Sequence, residues 1–302
     1  MRRLIIWIVS VVALVALVDI TLGWSFGRYI RHHSLPGDYE PIEQVMRHNT
    51  SDILVLGSSV ALNSVNTKTL EDSLHISSFN GGANGQTFPF YLTILKAVLQ
   101  QPHKPKTVLL GIADYNLTTV GNGTRYNFLA PYYNMGIADI DTVMNGNSAL
   151  ENVFLKSNLY RLNTIWFRIL LYHFITSGIK GENGFTGKPI PSSFPSMEAI
   201  APDSTITQER LDNLHEFISL CKGYDIDLII FFPPMYVKEC DNPVISHTLE
   251  IGEEYGIKVW NDMHMHRFHN DSTLFYDYMH LNNAGADIYT DTIITRLRNI
   301  KR

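Results

Sequence analysis

Three residues near opposite ends of the chain have the chemical types of a hydrolytic triad. Ser59 follows Gly57 and Ser58 at the end of a short apolar run, and Asp277 lies three residues before His280. At that spacing, one helical or turn-like step places a carboxylate and an imidazole on the same side. The carboxylate fixes the tautomer of the imidazole, whose other nitrogen can then take a serine proton. These residue types predict nucleophilic acyl chemistry.

Each half of this set has an ordinary structural interpretation when it is taken alone. A serine in a strand-to-helix turn is commonly a cap, and an isolated Asp-x-x-His is commonly a surface pair. Their placement favours a site, because the serine follows the first predicted strand and the pair precedes the last predicted helix. In an open parallel sheet, ligands bind beyond the carboxyl ends of the strands, where these two positions can meet.

The elements that must position these residues alternate between strands and helices. Short apolar runs predict buried strands, and three- and four-residue spacing of apolar residues predicts helices between them. This alternation predicts a parallel α/β sheet with helices on both faces. The predicted strands are 52–56, 107–112, 228–232 and, more weakly, 257–260, and the predicted helices are 91–99, 207–222 and a last one through 286–300.

The segment of about 117–202 interrupts this alternation. It mixes Asn, Gly, Tyr and Phe residues, contains a predicted helix over 152–176 and ends in a proline-rich stretch. We interpret it as an insertion between two strands of one domain, since long insertions often form lids or substrate walls. Irregular packing without a functional role is an equally good interpretation for any single residue there.

Taken together, the motifs resemble those of the SGNH (GDSL-type) hydrolase superfamily. Gly57-Ser58-Ser59 is similar to its first motif, with Ser59 at the nucleophile position and Ser58 where an Asp is usual. Asn80 to Thr87 resembles the second motif and places Gly85 at the oxyanion glycine. Asp277 and His280, with the following Leu-Asn-x-x-Gly, resemble the last motif. The resemblance implies a three-layer α/β/α flavodoxin-like sheet and ester hydrolysis or acyl transfer without a cofactor.

The third family motif, Gly-x-Asn-Asp, is altered in this chain. The sequence after the second predicted strand is Gly111-Ile-Ala-Asp-Tyr-Asn116, so no asparagine lies in register. The resemblance implies an oxyanion hole made of the Ser59 and Gly85 N–H groups with Asn116 as the third donor. Asp114 is the alternative, although a carboxylate there would oppose an oxyanion unless it were protonated or turned away.

The N-terminus has the composition of a membrane anchor. Arg2 and Arg3 precede an apolar run over 4–18, and the stretch up to Trp24 contains a single charge, Asp19. A helix over 4–24 would be about 31 Å long, enough to cross a bilayer core of roughly 30 Å. The paired arginines favour a cytoplasmic N-terminus and an extracytoplasmic catalytic domain. A cleaved signal peptide is the alternative, and a core helix of a soluble protein is the least favoured interpretation.

These observations predict the following organisation: a membrane anchor or signal peptide over 1–27, a linker over 28–50, and a catalytic domain over 51–302. The chain has 302 residues and a formal net charge of −5, which gives no basic surface for nucleic acid. The sequence leaves open whether the two cysteines, Cys221 and Cys240, form a bridge. His264, His266 and His269 lie close together, but without completing ligands they predict a polar loop rather than a metal site.

Two hypotheses for function remain. The first is an exported serine esterase or O-acyltransferase that acts on an acylated cell-envelope or extracellular glycan, or on a small ester. A diffuse similarity to envelope polysaccharide O-acetylation and teichoic-acid D-alanylation proteins favours a glycan and implies a membrane protein as acyl-donor partner. The second is a non-catalytic, membrane-tethered binding or assembly protein with the same fold, for which the altered third motif is the support.

Overall fold

A computed structural model describes residues 1–118, 126, 128–145, 148–163, 165–174, 182–199 and 205–300. The chain divides into two compact units. Unit 1 comprises residues 1–43 and 126–178, and unit 2 comprises residues 44–125 and 179–302. The predicted insertion is therefore divided, because residues 126–178 cluster with the N-terminal segment and not with the sheet.

Unit 2 contains a five-stranded parallel sheet with the strand order β2-β1-β3-β4-β5. This is the order of flavodoxin-like doubly wound folds. Every residue of β1 and β3 is buried, as their continuous apolar sequences require in a sheet covered on both faces. The strands are β1 (Ile53–Gly57), β2 (Ser78–Asn80), β3 (Thr107–Gly111), β4 (Asp227–Phe232) and β5 (Lys258–Asn261).

Helices cover both faces of this sheet, as the sequence predicts. α3, α4 and α13 pack together over a core that includes Val55, Leu109 and Phe231, and α5 packs against α10 on the other side. The helices of the described residues are α1 (Arg2–His32), α2 (Glu40–His48), α3 (Ser59–Ser64), α4 (Thr67–Leu74), α5 (Phe88–Leu99), α6 (Ile140–Met144), α7 (Ala149–Phe154), α8 (Asn158–Leu162), α9 (Ile165–Phe174), α10 (Gln208–Gly223), α11 (Pro243–Tyr255), α12 (His266–His269) and α13 (Asn283–Ile300).

The last helix is held at its middle by a buried ionic contact. Both guanidinium nitrogens of Arg296 donate to the Asp262 carboxylate at 2.6 and 2.7 Å, and the Tyr289 hydroxyl donates to it at 2.9 Å. Asp262 follows β5 and is 4% exposed. Truncating one partner of such a buried pair costs about 3–5 kcal/mol, so this contact fixes α13 relative to the sheet.

Unit 1 contains α1 and the short helices α6 to α9. α1 is long and apolar enough to cross a membrane, with a mean hydropathy of 2.7 over its most apolar 18 residues. A signal sequence near the N-terminus meets the same criteria of length and composition, so α1 is either a membrane anchor or a signal peptide.

Two sequence predictions in this region are wrong. The predicted linker over 28–50 is largely helical, because α1 continues to His32 and α2 occupies Glu40–His48. The predicted helix over 152–176 is divided into α7, α8 and α9, since Ser157 accepts from the Tyr160 N–H and starts a new helix. Residues 175 and 176 lie outside the described part of the chain.

Candidate active site

The nucleophile turn follows β1 directly. Ser58 is the N-cap of α3 and Ser59 is its first residue, so the Ser59 N–H has no partner within the helix. Gly57 has φ +140°, and a Cβ at this residue would lie 2.0 Å from the carbonyl oxygen of Gly111. Only glycine fits this position, because the ends of β1 and β3 approach each other too closely for a side chain. Ser59 is half-buried, whereas Ser58 is fully buried.

The loop that carries Asp277 and His280 is closed on itself. The Tyr276 N–H donates to the His280 carbonyl at 2.8 Å, and Phe275 pairs with Leu281 in an antiparallel bridge. Asn282, fully buried, donates to two carbonyls of this region and accepts from the Gly285 N–H at 3.1 Å. It thereby caps α13 and ties the loop to that helix.

The structure brings the three predicted catalytic residues together. His280 Nε2 lies 2.8 Å from Ser59 Oγ, and His280 Nδ1 lies 2.9 Å from both carboxylate oxygens of Asp277. Serine, imidazole and carboxylate therefore form one continuous hydrogen-bonded chain. With Nδ1–H donating to Asp277, the lone pair of Nε2 is directed at the serine hydroxyl, which is the arrangement of a serine–histidine–aspartate triad.

Asp277 is held in its charged form by its surroundings. Burial raises the pKa of its carboxyl, but the hydrogen bond and charge of His280 and the N–H groups of Met279 and His280 lower it more. The net pKa of Asp277 lies below its ordinary value of 3.8. An ionised carboxylate at this position orients the imidazole and stabilises the imidazolium that forms when a serine proton is taken.

The glycine-rich segment after β2 lies beside the nucleophile turn. The Ala83 N–H donates to the Gly57 carbonyl at 3.0 Å and fixes the segment to the end of β1. Gly85 lies two residues further on, is exposed, and adopts φ +66°, with no atom within 4 Å of the point where a Cβ would lie. The residue is therefore accessible from solvent, as a backbone donor to a bound substrate has to be.

Asn116 has a different place from the one predicted. Its Oδ1 accepts from the Ala113 N–H at 2.7 Å, and its Nδ2 donates to the Tyr91 hydroxyl at 3.1 Å and the Gln86 carbonyl at 3.5 Å. The side chain is fully buried. These hydrogen bonds contradict the predicted role of Asn116 as an oxyanion donor, because both amide hydrogens are used inside the protein. The side chain of Asp114, the alternative, lies outside the described residues.

A buried polar network behind the nucleophile turn was missed at the sequence level. The Tyr115 hydroxyl donates to Ser58 Oγ at 3.2 Å, and the Tyr91 hydroxyl donates to the Gln86 carbonyl. Burial raises the pKa of Tyr91 well above its ordinary value, so its hydroxyl stays protonated. Buried Arg210 of α10 donates to the Tyr115 carbonyl at 3.1 Å and so holds the segment after β3 that carries Tyr115. Tyr115 lies within the altered third motif, and this position was the one sequence feature that pointed to the network.

One part of the predicted insertion borders the site. Within unit 2, Asn63 of α3 donates to the Thr186 carbonyl at 2.6 Å, and the Asn283 N–H donates to the Lys188 carbonyl at 2.8 Å. The segment 186–188 therefore contacts both the helix that starts at Ser59 and the first residue of α13, three residues after His280. A substrate wall formed by these residues stays a prediction.

The remaining candidates from the sequence do not form a site. His264 and His269 lie with their rings 5.9 Å apart, and among the described residues no group of three or more His, Cys, Asp or Glu side chains could hold a metal ion. Cys221 and Cys240 do not form a disulfide. Burial raises the pKa of the Cys221 thiol to about 12, which keeps it unreactive.

Comparison with known proteins gives structural neighbours only. No protein-family model matches the chain, and no curated protein matches it. It is similar to a solved structure described as a lipolytic protein of the G-D-S-L family from Desulfitobacterium hafniense, with 10% identity, a TM-score of 0.44, and coverage of 82% of this chain and 99% of that one. It is also similar to a psychrotrophic esterase from Pseudoalteromonas sp., with 14% identity, a TM-score of 0.44, and coverage of 82% and 96%.

Proposed function

We propose that this chain is a serine ester hydrolase or O-acyltransferase, with Ser59 as nucleophile, His280 as general base and Asp277 as the residue that orients it. The observation that carries the proposal is the 2.8 Å separation of Ser59 Oγ and His280 Nε2, with Asp277 on the opposite ring nitrogen. A serine is a weak nucleophile at neutral pH and needs such a base to attack an ester.

The reaction proceeds in two half-reactions. As Ser59 Oγ attacks the ester carbonyl carbon, its proton passes to His280 Nε2, and the carbonyl oxygen becomes an oxyanion that the Ser59 and Gly85 N–H groups stabilise. The oxyanion collapses, the bond to the leaving alkoxide breaks, and His280 returns the proton to that alkoxide. The acyl group is then bound to Ser59, and a second hydroxyl, activated by His280, takes it in the reverse sequence.

We further propose that the substrate is an acylated glycan outside the cytoplasm and that α1 anchors the enzyme in the membrane, with a membrane protein supplying the acyl group where the reaction is transfer. An exposed and open Gly85 suits a large substrate, since it leaves the oxyanion side of the site accessible. The exposed rings of Tyr276 and Tyr278, which flank Asp277 in the sequence, provide apolar surface against which a sugar face can pack. The length and hydropathy of α1 support the anchor.

Trapping of the acyl group tests the proposal. The full chain is incubated with p-nitrophenyl acetate, and intact mass spectrometry with peptide mapping locates the adduct. We expect one acetyl group on the peptide that contains Ser59, absent in Ser59→Ala and retained in Ser219→Ala, which removes an exposed serine hydroxyl from α10. Steady-state turnover should fall by at least about 10³-fold in Ser59→Ala.

The same experiment separates the alternatives. Absence of an adduct on Ser59 and of turnover above the uncatalysed background in the wild type, with several acyl donors, would contradict an enzyme with this nucleophile and favour the non-catalytic binding protein. Acetylated oligosaccharide formed when glycans are added to the acyl-enzyme would support transfer. Release of acetate alone, with glycans in excess, would leave hydrolysis as the reaction.

A further inference from the structure

The C-terminal half of α1 packs within unit 1, whereas its N-terminal half does not. Residues 1–18 are all exposed. Beyond them, partly or fully buried positions recur at three- and four-residue spacing along one side of the helix, namely Asp19, Leu22, Gly23, Phe26, Gly27, Tyr29 and Ile30. This periodicity defines a packing face on the second half of the helix.

The start of α8 is seated on this face. The Asp19 carboxylate accepts from Ser157 Oγ at 2.6 Å, from the Leu159 N–H at 2.8 Å and from Asn158 Nδ2 at 3.1 Å. One turn further along α1, a Cβ on Gly23 would lie 2.3 Å from Asn158. A carboxylate with three donors and a glycine that admits the neighbouring side chain together fix α8 against residues 19–23 of α1.

These contacts have a defined depth once α1 spans a bilayer. Arg2 and Arg3 keep their charges outside the hydrocarbon, so the apolar span starts at Leu4. At about 1.5 Å per residue, a hydrocarbon core of roughly 30 Å takes about 20 residues, and the span therefore reaches Gly23. Any tilt of the helix lengthens it. The residues of α8 that contact Asp19 and Gly23 then lie at the edge of the hydrocarbon, in the leaflet at the C-terminal end of α1.

The side chains around this contact suit that depth. Nine apolar or aromatic side chains of α7, α8 and α9 are 37–65% exposed, although most apolar residues of this size are buried in soluble proteins. Buried Ile165 and Ile169 occupy one face of α9. Over 165–172, its exposed residues are apolar or aromatic except for Arg168. We define the 150–171 apolar surface as Leu150, Val153, Phe154, Leu159, Tyr160, Trp166, Phe167, Leu170 and Leu171.

The exposed charges in the same region have one sign. Among the described residues of 148–172, the charged side chains classed as exposed are Lys156 and Arg168, both basic. Basic side chains favour the phosphate level of a bilayer, and Trp166 and Tyr160 are of the aromatic types that concentrate at membrane interfaces. The exposed charges and aromatic rings of this region are therefore of the types found at a membrane interface.

We propose that the 150–171 apolar surface is embedded in the lipid leaflet at the C-terminal end of α1, so that unit 1 is held in the membrane by an interfacial platform in addition to one spanning helix. Asp19 fixes this arrangement, because its carboxylate joins α1 to the start of α8. Its carboxylate would be costly at the edge of the hydrocarbon if it were bare, and the donors at the start of α8 satisfy it there.

Spin labels on the full chain in liposomes test the proposal. Cys240→Ser gives the background, because Cys221 is buried and does not react. Single cysteines replace Phe154, Phe167 and Leu170 on the surface, Val12 on α1 as the membrane reference, and exposed Tyr224 of unit 2 as the aqueous reference. Collision with oxygen, which partitions into lipid, is compared with collision with a water-soluble nickel chelate.

We expect the three surface positions to resemble Val12, with oxygen collisions exceeding nickel collisions, and Tyr224 to show the opposite order. Surface labels that follow Tyr224 while Val12 reports lipid would overturn the platform. Protection from both reagents would also overturn it, since a second copy or another protein would then cover the surface. A water-exposed Val12 would remove its basis. Three independent positions keep the test valid if one variant fails to fold.

Discussion

The turn that carries Ser59 and the loop that carries His280 meet at one hydrogen bond, but different forces hold them. The turn is fixed by backbone packing, because Gly57 lies against the Gly111 carbonyl where two buried strands end. The loop is closed by its own backbone bonds, but the His280 ring within it is oriented by a side chain, because Asp277 accepts from two backbone N–H groups as well as from the imidazole. The position of Ser59 is thus set by the sheet, whereas the orientation of the His280 ring depends on the ionised carboxylate of Asp277.

The largest expected effect comes from the side-chain half of this comparison. Asp277→Asn should lower kcat about 10⁴-fold, because an amide stabilises the wrong tautomer of His280 and cannot stabilise its charge. Stability should change far less than activity. Steady-state kinetics and thermal unfolding of the same preparation measure both, with Asp291→Asn, an exposed carboxylate of α13, as the control. Activity within about tenfold of the wild type would show that Asp277 does not orient the base.

Substitutions in the turn that carries Ser59 should mainly lower the stability of the protein. Gly57→Ala should lower the free energy of unfolding by about 3 kcal/mol or more, because the methyl group meets the Gly111 carbonyl and φ is positive. The matched control is Gly223→Ala at the end of α10, where nothing lies within 4 Å of a Cβ and the change should stay within about 0.5 kcal/mol. Urea unfolding gives both values, and equal midpoints for the two variants would contradict steric fixation of the turn.

Asn116 tests whether the network behind the turn belongs to its packing or to the chemistry. Asn116→Ala leaves the Ala113 N–H without its acceptor and removes one of the two donors to the Gln86 carbonyl, and it should cost about 1–3 kcal/mol of stability. Asn63→Ala, another buried amide with a loop carbonyl as acceptor, should behave similarly. An oxyanion donor would instead be worth about 10²–10³ in kcat. A loss of that size at unchanged stability would restore Asn116 to the oxyanion hole.

The smallest effect is the pH dependence of the loop. The folded pKa of Asp277 lies below the ordinary value of 3.8, so its carboxylate stabilises the fold above that pH, and this contribution is lost as the pH falls through the folded pKa. Because the side chain is 41% exposed, we expect less than about 1 kcal/mol. Urea unfolding of the wild type and Asp277→Asn at about pH 6 and about pH 3 measures it. A stability difference that grows on acidification would contradict the sign.

The same contrast explains what the sequence could predict. Local runs of apolar residues were sufficient to predict strands β1, β3 and β4. Residue type and order along the chain were sufficient to select Ser59, Asp277 and His280 as candidates. The role of Asn116 depends on Tyr91 and Gln86, which lie 25 and 30 residues away and join it only through the folded sheet. The grouping of 126–178 with the N-terminal segment, and not with the sheet, likewise depends on contacts with α1 that no local periodicity records.

The contact between Asp19 and the start of α8 also has a consequence for biosynthesis. Its donor Ser157 follows 138 residues later in the chain. At a synthesis rate of about 5–20 residues per second, roughly 7–28 s separate the two, so a spanning α1 would enter the membrane well before the start of α8 exists. During that interval its carboxylate depends on water, lipid headgroups or the insertion machinery. If α1 spans a bilayer, the helix that is made first would therefore reach its final contacts only when half of the protein has been translated.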